Sequence, residues 1–561
     1  MLVAAVALAA GIWVTQPATA GPNQLMDPSN GHARLSANGK LLPHPSGGSE
    51  VTYDDERAVG ADTASSTDPP LSTGTALGCA NRGSLTNPRV NQDCTARRQA
   101  EEKVLVNPTD PTNIIAGQND SRIGFNKCGF DYSLDSGHTW GDGIPPFYQA
   151  LSPLGHTYDA GSDPALAFDS TGRAWFSCVL FDVNSNASAI AVTPSTPGLK
   201  GSAYSNVAAS GSPFIVAQDA TGHHSFDKEF IAGGPSADSV FVTFTDFQSF
   251  DFCKKSFNKG GLCQSPIYIS KWTGSGWTNP IQISGRSSLC TGGNTFNPQI
   301  PADACNFDQG SYPVVLPNGN VFVAFNNGNT PSSINQTLGV LVTVNNNTLT
   351  AGAPVRVGLD NESNVALCDF GRGPEQCVQS IFVRTNDFPA VAVDPTNANH
   401  LVADWTDSRS ATSKGNDDVV VSESTDGGQT WTDGTGSGGG GTVLTTSTTY
   451  FEPAIAIAGD GHEAVTTYQA SAATTDPAGT GTYGYGYLVN TGSGFGSYTD
   501  ASDLQNYPSP QANPSQAGFL GDYSSAAGDP SSSKIYMVWA DTRNASNGVP
   551  DEDVFMFSTT I

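Results

Sequence analysis

Short apolar stretches alternate with turns of Gly, Asn, Asp and Ser through most of the chain, and no long segment repeats its apolar positions at the helical period of about 3.6. The stretches come in pairs. The first member opens on polar residues, as in SDPALAF from Ser162, FDKEFIA from Phe226, SYPVVLP from Ser311, NDFPAVAV from Asn386, FEPAIAIA from Phe451 and GDYSSAA from Gly521. The second closes on an acid or amide: RAWFSCVLFD at Asp182, SVFVTFTD at Asp246, NVFVAFNN at Asn327, HLVADWTD at Asp407, EAVTTYQ at Gln469 and KIYMVWAD at Asp541. With a further unit from Val104, the pattern predicts an all-β chain of repeated antiparallel strand pairs.

Two units align without a gap. VNPTDPTNIIAGQNDSR, from Val106, matches VDPTNANHLVADWTDSR, from Val393, and each runs on into the pattern SxDxGxTW. The first copy carries Ser133, Asp135, Gly137 and Trp140; the second carries Ser424, Asp426, Gly428 and Trp431. The Asp carboxylate and Ser hydroxyl suit turn amides, Gly a backbone that other residues resist, and Trp a seat beneath the sheet. This motif resembles the Asp box of the sialidase-like (BNR-repeat) β-propeller family, where it is a structural turn on the periphery. The resemblance implies a β-propeller of four-stranded antiparallel blades over residues 99–561. The repeat favours seven blades, six being usual in sialidases, and its spacing of roughly 60 to 85 residues against the 40 to 50 of compact blades implies long loops.

Residues 1–20 read as a signal peptide, with an apolar run from Leu2 to Val14 and small residues at Ala18 and Ala20. Residues 21–98, rich in Pro, Gly, Ser and Asp, read as a lead-in or linker. Ten cysteines in an exported chain read as disulfides, expected as Cys79–Cys94, Cys128–Cys178, Cys253–Cys263, Cys290–Cys305 and Cys368–Cys377. No CxxC or HxxxH pair supports zinc. The 25 basic side chains against 52 acidic ones leave a net charge of -27, which repels phosphate backbones and argues against nucleic acid. No segment after the leader is long and apolar enough for a membrane helix. The chain reads as a secreted monomer with an extracellular glycan as partner.

Strand direction alternates within a blade, so the start of each first strand and the end of each second strand share one face. That face gathers Asp163, Asp227, Asp387, Glu452, Asp522 and Tyr523 with Asp407 and Asp541; Arg122, Arg409 and Arg543 follow two residues beyond the strand-ending acids or their equivalents. Arginine forks suit a carboxylate-bearing ligand, and neighbouring carboxylates can supply a general acid or base. The same residues also read structurally, as caps on turn amides and as salt bridges in WTDSR and WADTR. No cofactor is required by this reading, although a ring of Asp oxygens suits Ca²⁺.

The family resemblance implies an exo-acting hydrolase that removes a terminal acidic sugar of the sialic acid type. Arg409 and Arg543, with Arg122 or Arg384, would form its arginine triad. Tyr523 would be the nucleophile with Glu452 as its partner, and Asp163 or Asp227 the acid/base. The chain departs from the family at the early Phe/Tyr-Arg-Ile-Pro segment, where SRIGF, from Ser121, lacks the proline. Two other readings stay open: a non-catalytic propeller that binds glycan or protein, and a lyase on uronate polymers using His223 or His224.

Overall fold

The computed structural model describes residues 41, 43–52 and 87–561, apart from 94, 96–97, 124–125, 205–213, 238, 250–251, 253–261, 293–300, 332–333, 371–372, 411–414, 433–440, 445–447, 472–480, 504, 511–517 and 547–548. The expected leader, 1–20, and the Cys79–Cys94 pair lie outside these residues. So does Cys253, although Cys263 is disulfide-bonded. The other three disulfides form as expected, at Cys128–Cys178, Cys290–Cys305 and Cys368–Cys377.

The architecture is all-β, and its strands fall into antiparallel sheets that follow one another along the chain. Seven of them span 99–143, 160–219, 224–282, 308–361, 390–443, 449–508 and 525–560, here the first to seventh sheets. Each of the seven sequence units supplies the first two strands of one sheet. A small additional sheet, 366–384, is inserted between the fourth and fifth.

Each sheet is covered on both faces by its neighbours, which is why its inner strands are buried throughout rather than alternating. Ala174–Phe181, for example, is buried at every position. Seven apolar clusters lie between successive sheets. One joins Phe130 of the first sheet to Phe176 of the second. Another joins Val538 and Met556 of the seventh back to Val104 and Ile114 of the first. The last strand of the seventh sheet gains a further partner from upstream: Val90 N donates to Val554 O at 2.8 Å and Met556 N to Pro88 O at 3.1 Å. Residues of all seven first strands line one cavity of about 340 Å³.

The SxDxGxTW turns connect the third and fourth strands of the first and fifth sheets. In the second copy Gly428 N donates to Ser424 Oγ at 2.9 Å, and Thr430 N donates to Asp426 Oδ1 at 2.8 Å. The first copy repeats both bonds at Ser133 and Asp135, at 2.8 and 2.9 Å. Trp431 packs on Phe322 of the preceding sheet, ring centroids 5.3 Å apart. Gly428 has φ 86°, and a Cβ there would stand 2.6 Å from the Phe322 ring. Gly428→Ala is therefore expected to cost at least about 1–2 kcal/mol through the left-handed backbone alone and to lower the thermal unfolding midpoint. Unfolding of the purified variant beside the wild type checks this.

Candidate active site

The openings of the first strands carry a shared irregularity. Five break register with the second strand by a bulge, and a residue of each bulge is left-handed: Glu101 (φ 61°), Asp163 (57°), Lys228 (51°), Gly310 (66°) and Glu452 (49°). A bulge sets two residues against one and re-aims the side chain. Four of the five are buried and charged, so the strain is concentrated where charges converge.

Glu101, Asp163 and Asp522 each bring one carboxylate oxygen within 4.8 Å of the others. Lys228 Nζ lies 3.5 Å from Asp163 and 3.8 Å from Asp522, and 3.8 Å above the centre of the Tyr523 ring. Arg384, delivered by the small inserted sheet, donates Nε to Asp522 at 2.9 Å and approaches Glu375 at 3.3 Å.

Residues 43–52, in the stretch read as a linker, sit over this group, with a helical turn at 47–52. Ser46 N donates to Asp227 Oδ2 at 2.9 Å, Ser46 Oγ to Asp163 Oδ2 at 2.5 Å, and Gly47 N to Asp522 Oδ2 at 2.7 Å. Glu50 pairs with Arg384 at 2.7 Å, and Arg384 also donates to Pro45 O at 3.3 Å.

Burial and the neighbouring cations split the carboxyls into two kinds. Burial pushes Asp227 well above the ordinary range, with Asp163 adding to the effect and Lys228 opposing it. Asp163 is raised by burial against the pull of Lys228, and Glu101 is raised by burial and by Asp163. Asp522 goes the other way: burial opposes its charge, but Arg384 and Lys228 outweigh burial and hold the carboxyl below its usual value. Carboxyls whose pKa is raised thus stand beside one whose pKa is lowered.

Other expected site residues are placed differently. Arg122, Arg409 and Arg543 each clasp the acid two positions earlier. Their Nε atoms donate to Asp120, Asp407 and Asp541 at 2.7, 2.9 and 2.9 Å, and their backbone amides donate to the same carboxylates. Arg122 also meets Asp142 at 2.7 Å and Arg543 meets Asp503 at 2.7 Å. Of the arginines expected to bind substrate, Arg384 is the one in the carboxyl group around Lys228. Tyr523 and Glu452, expected as partners, share no hydrogen bond. Tyr523 OH donates to Pro164 O at 3.2 Å, and burial, with Glu101 and Asp163, raises its pKa. Glu452 is buried with both carboxylate oxygens unpartnered, and burial and Asp522 push it up. His224 is held by Asp246 at 2.9 Å, while His223 is exposed.

Sequence reasoning missed Lys228, Glu101, Glu375 and residues 43–52. Lys228 stood inside FDKEFIA, and Glu101 occupies the same bulge position as Asp163; an alignment begun at Ala100 rather than Val104 would have exposed the match.

Among the described residues, two carboxylate groups offer oxygens to a metal. The group of Glu101, Asp163 and Asp522 is compensated by Lys228 and Arg384. The second comprises Asp360, Glu362 and Asp387, again within 4.8 Å of one another. There Asn326 donates to Asp360 at 2.6 Å and Gln376 to Asp387 at 2.5 Å.

No protein-family model matches the chain, and neither does any curated protein. Among solved structures it is similar to a Dyadobacter fermentans protein of unknown function, at 12% identity and TM-score 0.42 over 85% of this chain and 98% of that one. An α-L-arabinofuranosidase from Fusarium graminearum gives 11% identity and TM-score 0.40, over 85% and 98%. A Hadza microbial sialidase gives 10% and 0.37, over 80% and 73%.

Lys228→Met removes the cation between Asp163 and Asp522 and is expected to destabilise the protein by about 3–5 kcal/mol at pH 7. The carboxyls left behind would have folded-state pKa values higher than in the wild type, so the penalty grows as pH rises and fades as they protonate. Unfolding midpoints at pH 5 and pH 7 check this: the deficit against wild type should be smaller at pH 5.

Proposed function

We propose that the seven sheets are the blades of a closed propeller and that the protein is a glycoside hydrolase acting through the carboxyls at its axis. The observation that carries this reading is the convergence of Glu101, Asp163 and Asp522, with oxygens within 4.8 Å of one another, where the pKa of Asp522 is lowered while those of Asp163, Asp227 and Glu101 are raised. Asp522 then serves as nucleophile toward the anomeric carbon, and Asp163 or Asp227 protonates the leaving oxygen. The oxygens of Asp163 and Asp522 approach more closely than the roughly 6.5–9.5 Å between carboxyls that leaves room for an attacking water, which favours retention of configuration.

The sequence resemblance points to a terminal acidic sugar, but the ion pairs favour a neutral one. Arg122, Arg409 and Arg543 are engaged by their own strand-end acids, and a sugar carboxylate would enter among Asp163, Asp227, Glu101 and Asp522. The engaged arginines and the Tyr523 hydroxyl bonded to Pro164 also favour a second reading, a propeller that binds glycan without turnover.

Activity should follow a bell-shaped pH profile. The acid limb reflects protonation of Asp522, and the alkaline limb reflects ionisation of the raised carboxyl that acts as acid. Asp522→Asn is expected to reduce kcat/KM by about 10²–10⁴. A panel of neutral glycosides and sialosides, assayed on the unaltered protein and after residues 43–52 are loosened, checks this. Turnover confined to sialosides would overturn the neutral-sugar assignment; glycan retention without any turnover would replace the hydrolase reading with the binding one.

A further inference from the structure

We propose that residues 43–52 are a tethered ligand of the axial site, so that the full chain is self-blocked and the carboxyls become accessible only when this segment leaves. The inference rests on the reading of the axial carboxyls as the functional site.

The contacts fall on the carboxylates to which that reading assigns chemistry. Asp227 accepts the Ser46 amide, Asp163 the Ser46 hydroxyl and Asp522 the Gly47 amide. Gln309, from the fourth sheet, donates to His44 O at 2.5 Å. Recognition is therefore largely of the main chain, by residues far apart in sequence. The segment presents a hydroxyl and amide donors to the acids, the same donor chemistry as a sugar. Glu50 adds a carboxylate to Arg384, and its own Nδ1 partner His44 lies 3.4 Å away.

Fit is as close as the polar pairing. A Cβ at Gly47 would stand 2.2 Å from the Phe519 ring and 2.8 Å from Asp522, and one at Gly48 would stand 2.2 Å from Ser162 Oγ and 2.3 Å from Asn119 Nδ2. Two consecutive positions thus accept only glycine without displacement. Ser46, Ser49, Glu50, Val51 and Thr52 are all buried. By contrast, the apolar anchor is small, with Val51 clustering only with Ala100 and Phe519 among the buried residues. The segment is held chiefly by polar contacts and by its covalent link to the rest of the chain, which raises its effective concentration at the site.

The test uses the full chain and a labelled peptide spanning residues 41–52. Gly47→Leu/Gly48→Leu should expel the segment while leaving every axial side chain in place. Fluorescence polarisation is expected to show the peptide binding this variant at least tenfold more tightly than wild type, and glycoside turnover should rise by a similar factor. Equal binding to both proteins, or binding to neither, overturns the self-block. Hydrogen exchange on the unaltered chain is independent of whether the variant folds. The Ser46 and Gly47 amides should exchange as slowly as those of Ala160–Phe168, and fast exchange overturns the proposal. Preferential peptide binding without turnover in either protein sustains the tethered ligand and sinks the hydrolase; equal turnover in both sinks the self-block alone.

Discussion

The ammonium of Lys228 lies between Asp163 and Asp522, and the convergence of strand openings around it depends on that charge. Without it, neighbouring sheets would bring mostly carboxyls to a common buried point. A buried ion pair seldom adds net stability over an apolar replacement, but losing one partner leaves an uncompensated charge. The lysine is itself left-handed within a bulge, and Phe388 and Tyr523 stack against its charge. Backbone strain, cation–π contact and ion pairing thus meet on one side chain. The inserted sheet adds Arg384 as a second cation, on the far side of Asp522.

Much of this was legible in the chain. The pairing of a polar-opening strand with an acid-ending one specified each sheet and the face that the openings share, as the pairing of Phe226 with Asp246 illustrates. The geometry of the SxDxGxTW turns was legible, because their hydrogen bonds are local and follow from spacing. The roles of the arginines were harder to read. A guanidinium two residues beyond an aspartate is close enough to bond it, and whether it turns back or reaches outward depends on neighbours such as Asp142 and Asp503, which lie elsewhere in the chain. Residues 43–52 carried no periodicity at all. Their order comes from partners far downstream, and a Pro/Gly/Ser composition reads as a linker unless those partners are known.

Acid–arginine pairs are used here in two physically distinct ways. At Asp120–Arg122, Asp407–Arg409 and Asp541–Arg543 the partners are nearly adjacent in sequence, so the pair closes a strand end. At Asp522–Arg384 the partners belong to different elements, and the pair exists only when the inserted sheet, closed by Cys368–Cys377, is in place. The first kind rigidifies a rim. The second couples the ionisation of an interior acid to the seating of a peripheral loop.

The strand-like contact of Pro88 and Val90 with the seventh sheet has a bearing on how the molecule can be remodelled. This seam joins chain from before the first sheet to the last strand, fastening the two ends of the repeat array together. The segment over the carboxyls lies upstream of the seam in sequence. A single cut between the two would divide responsibilities cleanly, leaving the fastened sheets whole while the covering piece is retained by non-covalent contacts alone. The architecture separates what joins the first sheet to the seventh from what covers the converging carboxyls, so one can be lost without the other.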